Sequence, residues 1–128
     1  MTTQRSADYL DHMLEAAQQA CAYLEGLDKA GFLEDKRTQQ AVILNLVILG
    51  EAVTKLISQD EPLADRYPDV PWRSMKGMRN RLAHGYFDID LDVVWDTVQT
   101  ALPRLLAQLP VIRDAAMAAN KDSSESGG

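Results

Sequence analysis

The chain has 128 residues, 46% hydrophobic and 25% charged, an ordinary mixture for one soluble globular domain large enough to bury its own core. Its net charge of -6 argues against a protein that coats long nucleic acid, and its single cysteine, Cys21, has no internal partner for a disulfide. The N-terminus MTTQRSADYL lacks an apolar leader, and the run AVILNLVILG falls short of the ~20 residues of a membrane span, so the expectation is a cytoplasmic protein with no membrane contact.

Taken in chain order, Leu10, Met13, Leu14, Ala17, Cys21, Leu24 and Leu27 recur at spacings of three and four and predict a helix from about Ser6 to Leu27. Ser6 or Asp8 is placed to cap it, and Gly26 and Gly31 punctuate its exit. The same spacing puts Cys21 on the apolar face, as a small core residue rather than a reactive thiol. A second helix is expected from Glu34 to Ser58. From Val42 to Ile57 its apolar residues cover most of the circumference, as on a helix buried on several sides. In so small a domain this suggests a central helix that also faces a second subunit.

The connector QDEPLADRYPDVP holds three prolines and one expected helical turn between Pro62 and Tyr67. Pro71 suits the first position of a third helix, which Gly85 should end. A fourth helix begins near Asp90 with Leu91, Val94, Trp95, Val98, Leu102, Leu105 and Leu109 as its stripe. Pro103 inside that stripe predicts a kink, and Pro110 a second kink or an end. The expected architecture is all-α, an up-and-down bundle of four to five helices over residues 1–119, with a flexible polar tail at 120–128.

Charge is unevenly spread. Between Arg66 and Phe87 stand Arg66, Arg73, Lys76, Arg79 and Arg81 against Asp69 alone, 5 - 1 = +4, while the remainder carries 8 - 18 = -10. A local basic patch on an acidic body fits a small anionic ligand or one short piece of nucleic acid. On the third helix, counted from Trp72, the residues Met75, Met78, Leu82 and Ala83 form the core-facing stripe. Arg79 falls inside it, at about 340°. A charge there needs a partner or a task. One reading is a structural arginine paired with Glu51, the acid in the middle of the second helix, or snorkelling to the surface. His84 falls outside the stripe, at about 120°, one residue before Gly85, where unpaired carbonyls favour the imidazolium. It reads as a surface or capping residue, or as a proton carrier oriented by Asn80 one turn earlier.

Arg79 and His84 splay by about 140° on one ideal helix, so they converge more readily if two chains meet across a two-fold axis. Two arginines to hold a phosphate and two imidazoles to move protons are equipment for metal-independent RNA cleavage. Arg73, Lys76 and Arg81 are then candidate RNA-backbone contacts, and Glu51 and Asn80 supporting residues. The run DIDLD at 88–92 begins like a calcium loop, but Val93 and Gln99 stand where such a loop needs Gly and Glu; helix capping is the better reading. No Cys/His cluster suits zinc and no glycine-rich loop suits a nucleotide phosphate, so neither metal nor cofactor is expected. Trp72 and Trp95 read as packing anchors, and His12 as solvated.

The string RNRLAHGY (79–86) resembles the R-x4-H-x-Y motif of HepT-like toxins in the HEPN superfamily. GEAVTKL (50–56) and VPWRSMKGMRNRLAHGYFDIDLDVVW (70–95) are similar to that family as well. The resemblance implies a homodimeric ribonuclease toxin with a composite site of Arg79 and His84. It also implies a nucleotidyltransferase antitoxin, which in some members attaches AMP to the motif tyrosine, here Tyr86. Against that function stand a binding module, which holds RNA or a nucleotide for the nucleotidyltransferase without cutting, and a purely structural bundle. For Tyr86 the bland alternative is a ring packed against the turn with Phe87.

Overall fold

The computed structural model describes the backbone of residues 2–126 and the side chains of residues 5–119 other than that of Tyr86. Over that range it is an all-α bundle. Helix α1 runs Thr2–Tyr23, α2 Lys29–Glu34, α3 Lys36–Gln59, α4 Glu61–Arg66, α5 Trp72–His84, α6 Leu91–Asp96 and α7 Leu102–Ser126. A 3-10 turn, Tyr86–Asp88, follows α5, and a wide π turn, Thr97–Ala101, joins α6 to α7.

The amphipathic stripes become the core. Leu10, Met13, Val42, Val53, Leu56 and Leu109 are completely buried between α1, α3 and α7. Each such side chain contributes roughly 1.5–3 kcal/mol on leaving water. α3 is the shared wall, packed against α1 on one side and α5 on another. It is long and apolar enough to cross a membrane by length and composition, but half of its most apolar window is buried inside the bundle.

Boundaries differ from the sequence reading where short polar side chains intervene. Gly26, at φ 80°, turns the chain after α1. The helix expected from Glu34 is α3, which starts at Lys36, and a short helix that the sequence reading did not expect, α2, precedes it. Asp28 caps α2 by accepting from the Gly31 amide at 2.8 Å, and Asp35 caps α3 by accepting from the Thr38 amide at 3.1 Å and its hydroxyl at 2.7 Å. Ser6 does not cap α1: it lies within the helix, buried, and donates to Asp60 Oδ2 at 2.7 Å. Asp60 in turn caps α4. Pro71 sits one position before α5 rather than inside it, and Gly85 ends that helix as expected.

The irregularity expected at Pro103 appears as the π turn. Proline has no N–H, and its ring crowds the carbonyl four residues back, here Gln99. The Leu102 amide bonds to Thr97 O, five residues back, which opens the turn that would otherwise clash. Thr97 and Thr100 donate their hydroxyls to Val93 O and Asp96 O at 2.7 and 2.6 Å, and such back-bonding bends helices further. Pro110 does not end α7, which continues to Ser126, through most of the segment read as a polar tail. Residues 127 and 128, and the side chains of 120–126, lie outside the described residues.

Candidate active site

α5 owes its position to a glycine. A Cβ built on Gly50 would lie 2.2 Å from Arg79 Cβ and 3.0 Å from the Met75 carbonyl, so α3 and α5 approach this closely only because Gly50 has no side chain. The next residue, Glu51, then meets the arginine. Arg79 donates from one terminal nitrogen to both Glu51 carboxylate oxygens, at 2.6 and 2.9 Å, and from the other to Asn80 Oδ1 at 2.6 Å. The arginine side chain is 22% exposed and that of Glu51 45%, so the pair stands at the bundle edge and not in its core. A guanidinium carries five N–H donors; three are used here, which leaves about two for a further anion.

His84, the last residue of α5, is exposed and bonded to no other described residue. Its imidazole is therefore open to substrate at the carbonyl end of a helix. The expected link from Asn80 to His84 is absent among the described residues, because the Asn80 oxygen is turned to Arg79. Ala83, expected in the apolar stripe, is exposed, while Trp72 and Leu82 are buried and Met75 and Met78 partly so. The stripe is narrower than its spacing suggests because α3 covers most of the contact on its own.

The other basic residues fan out around α5. Arg81 lines a cavity toward α6, and Arg73 one beneath α4 that also holds Glu61 and Asp65. Lys76 is exposed between them. At 1.5 Å per residue Arg73 lies about 16 Å along the helix from His84, so α5 presents a basic track and not a single cluster. The 3-10 turn places residue 86 directly after Gly85; the side chain of Tyr86 is outside the described residues.

Residues at the margins have quieter roles. Asp90 caps α6 through the amides of Asp92 and Val93, at 3.0 and 3.4 Å. Asp92 pairs with Lys29 at 3.0 Å, and that hydrogen bond raises the lysine pKa. Among the described residues no three His, Cys, Asp or Glu side chains gather as metal ligands. Cys21 is half-buried, and burial, then the charge of Glu25, raises its pKa, which disfavours the thiolate. Trp72 donates its indole N–H to Tyr67 O at 3.0 Å, and Trp95 packs its ring 5.6 Å from that of Phe32, so both are anchors. Gly50 had no assigned role in the sequence reading. Its signal was a glycine in the middle of a long apolar helix, where it costs stability unless something must come close.

A helical bundle with a guanidinium pinned at one edge and an open imidazole five residues on has the makings of a nucleic-acid enzyme. The comparisons place the chain more narrowly. It belongs to the HepT-like ribonuclease family, whose pattern it matches over residues 13–112. By that membership it is an endoribonuclease. It is 37% identical over 106 residues to a protein of Thermococcus cleftensis named "Probable ribonuclease HepT", covering 83% of this chain and 94% of that one. It is 35% identical over 107 residues to "Putative RNase MJ0127" of Methanocaldococcus jannaschii, covering 83% and 86%. No solved structure matches the chain.

Proposed function

We propose that the protein is the toxin of a toxin-antitoxin pair, a metal-independent RNA endonuclease whose site is completed by a homodimer. The observation that carries this reading is the contrast within α5. Arg79 is held in place by Glu51 and Asn80 with donors to spare, while His84 stands open at the helix end. One imidazole removes the proton from a ribose 2'-hydroxyl, which attacks the neighbouring phosphate. A second imidazole, as imidazolium, gives a proton to the departing 5'-oxygen. Arg79 holds the charge that accumulates on phosphorus. Glu51 keeps the guanidinium ordered and offsets part of its charge, so two arginines serve the phosphate better than one. Arg73, Lys76 and Arg81 extend the hold along the RNA backbone.

The dimer reading is supported by α3. Leu44 and Ile48 are 59% and 42% exposed, large apolar side chains left at the surface. They fall on one helix face with Glu51 and Lys55 at spacings of four, three and four. A second chain packed on Leu44 and Ile48 lies beside the Glu51–Arg79 pair. The cognate partner is an antitoxin of the nucleotidyltransferase type. It transfers AMP from ATP to the Tyr86 hydroxyl, which loses its proton as the α–β phosphoanhydride breaks and pyrophosphate leaves, and so sets a phosphate against the basic patch, where RNA is then excluded by occupancy and repulsion.

The test is incubation of the pure protein with RNA in EDTA. Cleavage that leaves 2',3'-cyclic phosphate or 3'-phosphate ends is expected; a magnesium requirement or 3'-hydroxyl ends would sink the mechanism, and no cleavage at all would leave a binding subunit. Mixing Arg79→Ala with His84→Ala chains should restore part of the activity if each site draws one residue from each subunit. After co-expression with the partner and ATP, intact mass should show added AMP units that Tyr86→Phe lacks.

A further inference from the structure

Between α5 and α6 the chain leaves a cavity of about 150 Å3 that the cleavage chemistry above does not use. That is room enough to admit a flat ring system. Its walls include Met78 of α5 and Ile89 and Val93 from the facing side, and Val93 remains 47% exposed at the mouth. Thioether and branched apolar groups suit the face of an aromatic ring. Gly85 also lines the cavity and directly follows His84. Consecutive Cα atoms lie about 3.8 Å apart, so the cavity lies beside the end of α5 that carries His84.

The polar groups of the cavity are selective in kind. Asp90 commits Oδ1 to the amides of Asp92 and Val93, whereas no described residue bonds the Asp88 carboxylate. Two carboxylate oxygens accept and cannot donate. Guanine alone among the four RNA bases offers two adjacent donors, N1–H and the 2-amino group, to match them. Adenine and cytosine set a ring acceptor beside their amino group, and uracil sets one N–H between two carbonyls.

We infer that this cavity is the base subsite of the ribonuclease, that it takes a guanine next to the scissile phosphate, and that Asp88 selects it. The inference rests on the endoribonuclease reading. The experiment compares cleavage by the full chain of oligoribonucleotides that differ only in the base on either side of one cut site, with guanine, inosine, adenine, cytosine and uracil in turn. At one of the two positions guanine should be cut roughly tenfold or more faster than adenine, the scale of one well-made bidentate contact. Inosine, which lacks the 2-amino group, should fall between. Asp88→Asn, at an exposed position where the fold is not at stake, should bring the guanine-to-adenine ratio within about threefold. Val93→Phe, which fills the mouth without touching a carboxylate, should erase the same ratio. Cleavage with equal rates for all bases, or a ratio unmoved by both variants, overturns the subsite and leaves the ribonuclease standing. Binding of free GMP in equilibrium dialysis without any guanine preference in cleavage would assign the cavity to a mononucleotide and also overturn it. If no RNA is cut under any condition, both readings fall together.

Discussion

In the α1–α3–α7 core Leu10, Met13, Val42, Val53 and Leu109 are completely buried, whereas α5 buries only Trp72 and Leu82 and otherwise carries Arg73, Lys76, Arg79, Arg81 and His84. The core is held by apolar area summed over many side chains. α5 is held against one neighbour, α3, by a close backbone approach at Gly50, its two anchors and a half-exposed ion pair. The difference shows why a cationic helix is tolerated: its charges stay near water, where they need little compensation, and the core secures the rest of the domain without them. Most of the buried apolar area and most of the basic charge thereby lie on different elements, and each can be attacked alone.

The largest effect should come from the core. Leu109→Ala removes a completely buried side chain next to α1 and should cost about 2–5 kcal/mol, lowering Tm by at least about 6 °C in a thermal melt. On the other side of the comparison, His84→Ala and Arg79→Ala should each lose about 10²-fold or more in RNA cleavage. Their melting should stay within a few degrees of wild type, since a half-exposed ion pair contributes about 0–1 kcal/mol. An Arg79→Ala chain that melts as early as Leu109→Ala would erase the distinction and make the Glu51 pair a fold element.

Gly50→Ala joins the two regions. Its methyl would meet Arg79 Cβ at 2.2 Å and force α5 outward, so overpacking should cost about 1–3 kcal/mol and activity should fall with it. Unchanged melting and unchanged cleavage would mean that the two helices do not need this approach.

The smallest effect concerns the cap of α3. The Thr38 hydroxyl and amide hold the Asp35 carboxylate below its ordinary pKa. Its contribution to stability is therefore complete above the ordinary carboxylate range, about pH 4, and is lost as pH falls through its own lower value. Asp35→Asn keeps the cap without the charge. The melting difference between wild type and Asp35→Asn should shrink as pH is lowered below about 4. A difference that is flat or widens there would contradict the assignment.

Much of this was legible in the sequence because local rules sufficed. The periodic leucines of α1 and α3, the stop at Gly85 and the disturbance at Pro103 follow from helix geometry, from a C-terminal glycine and from a missing N–H. The motif RNRLAHGY was recognisable by resemblance, and the Arg79–Glu51 pair was one of two open readings of a charge in an apolar stripe. What failed locally was α2, because six residues are too few for helical periodicity to show, and the buried role of Ser6, whose partner Asp60 is 54 residues away.

The sequence by itself determined the all-α class, the helical stripes and the residues available for chemistry, since backbone periodicity and side-chain type are properties of neighbours along the chain. Tertiary structure decided which of those residues meet. It set Glu51 against Arg79 through the space Gly50 leaves, turned Asn80 away from His84, and opened the cavity between α5 and α6. Those outcomes depend on how two helices cross, and a crossing is fixed by packing between distant segments, where the periodicity of one strand of sequence carries no information about the other.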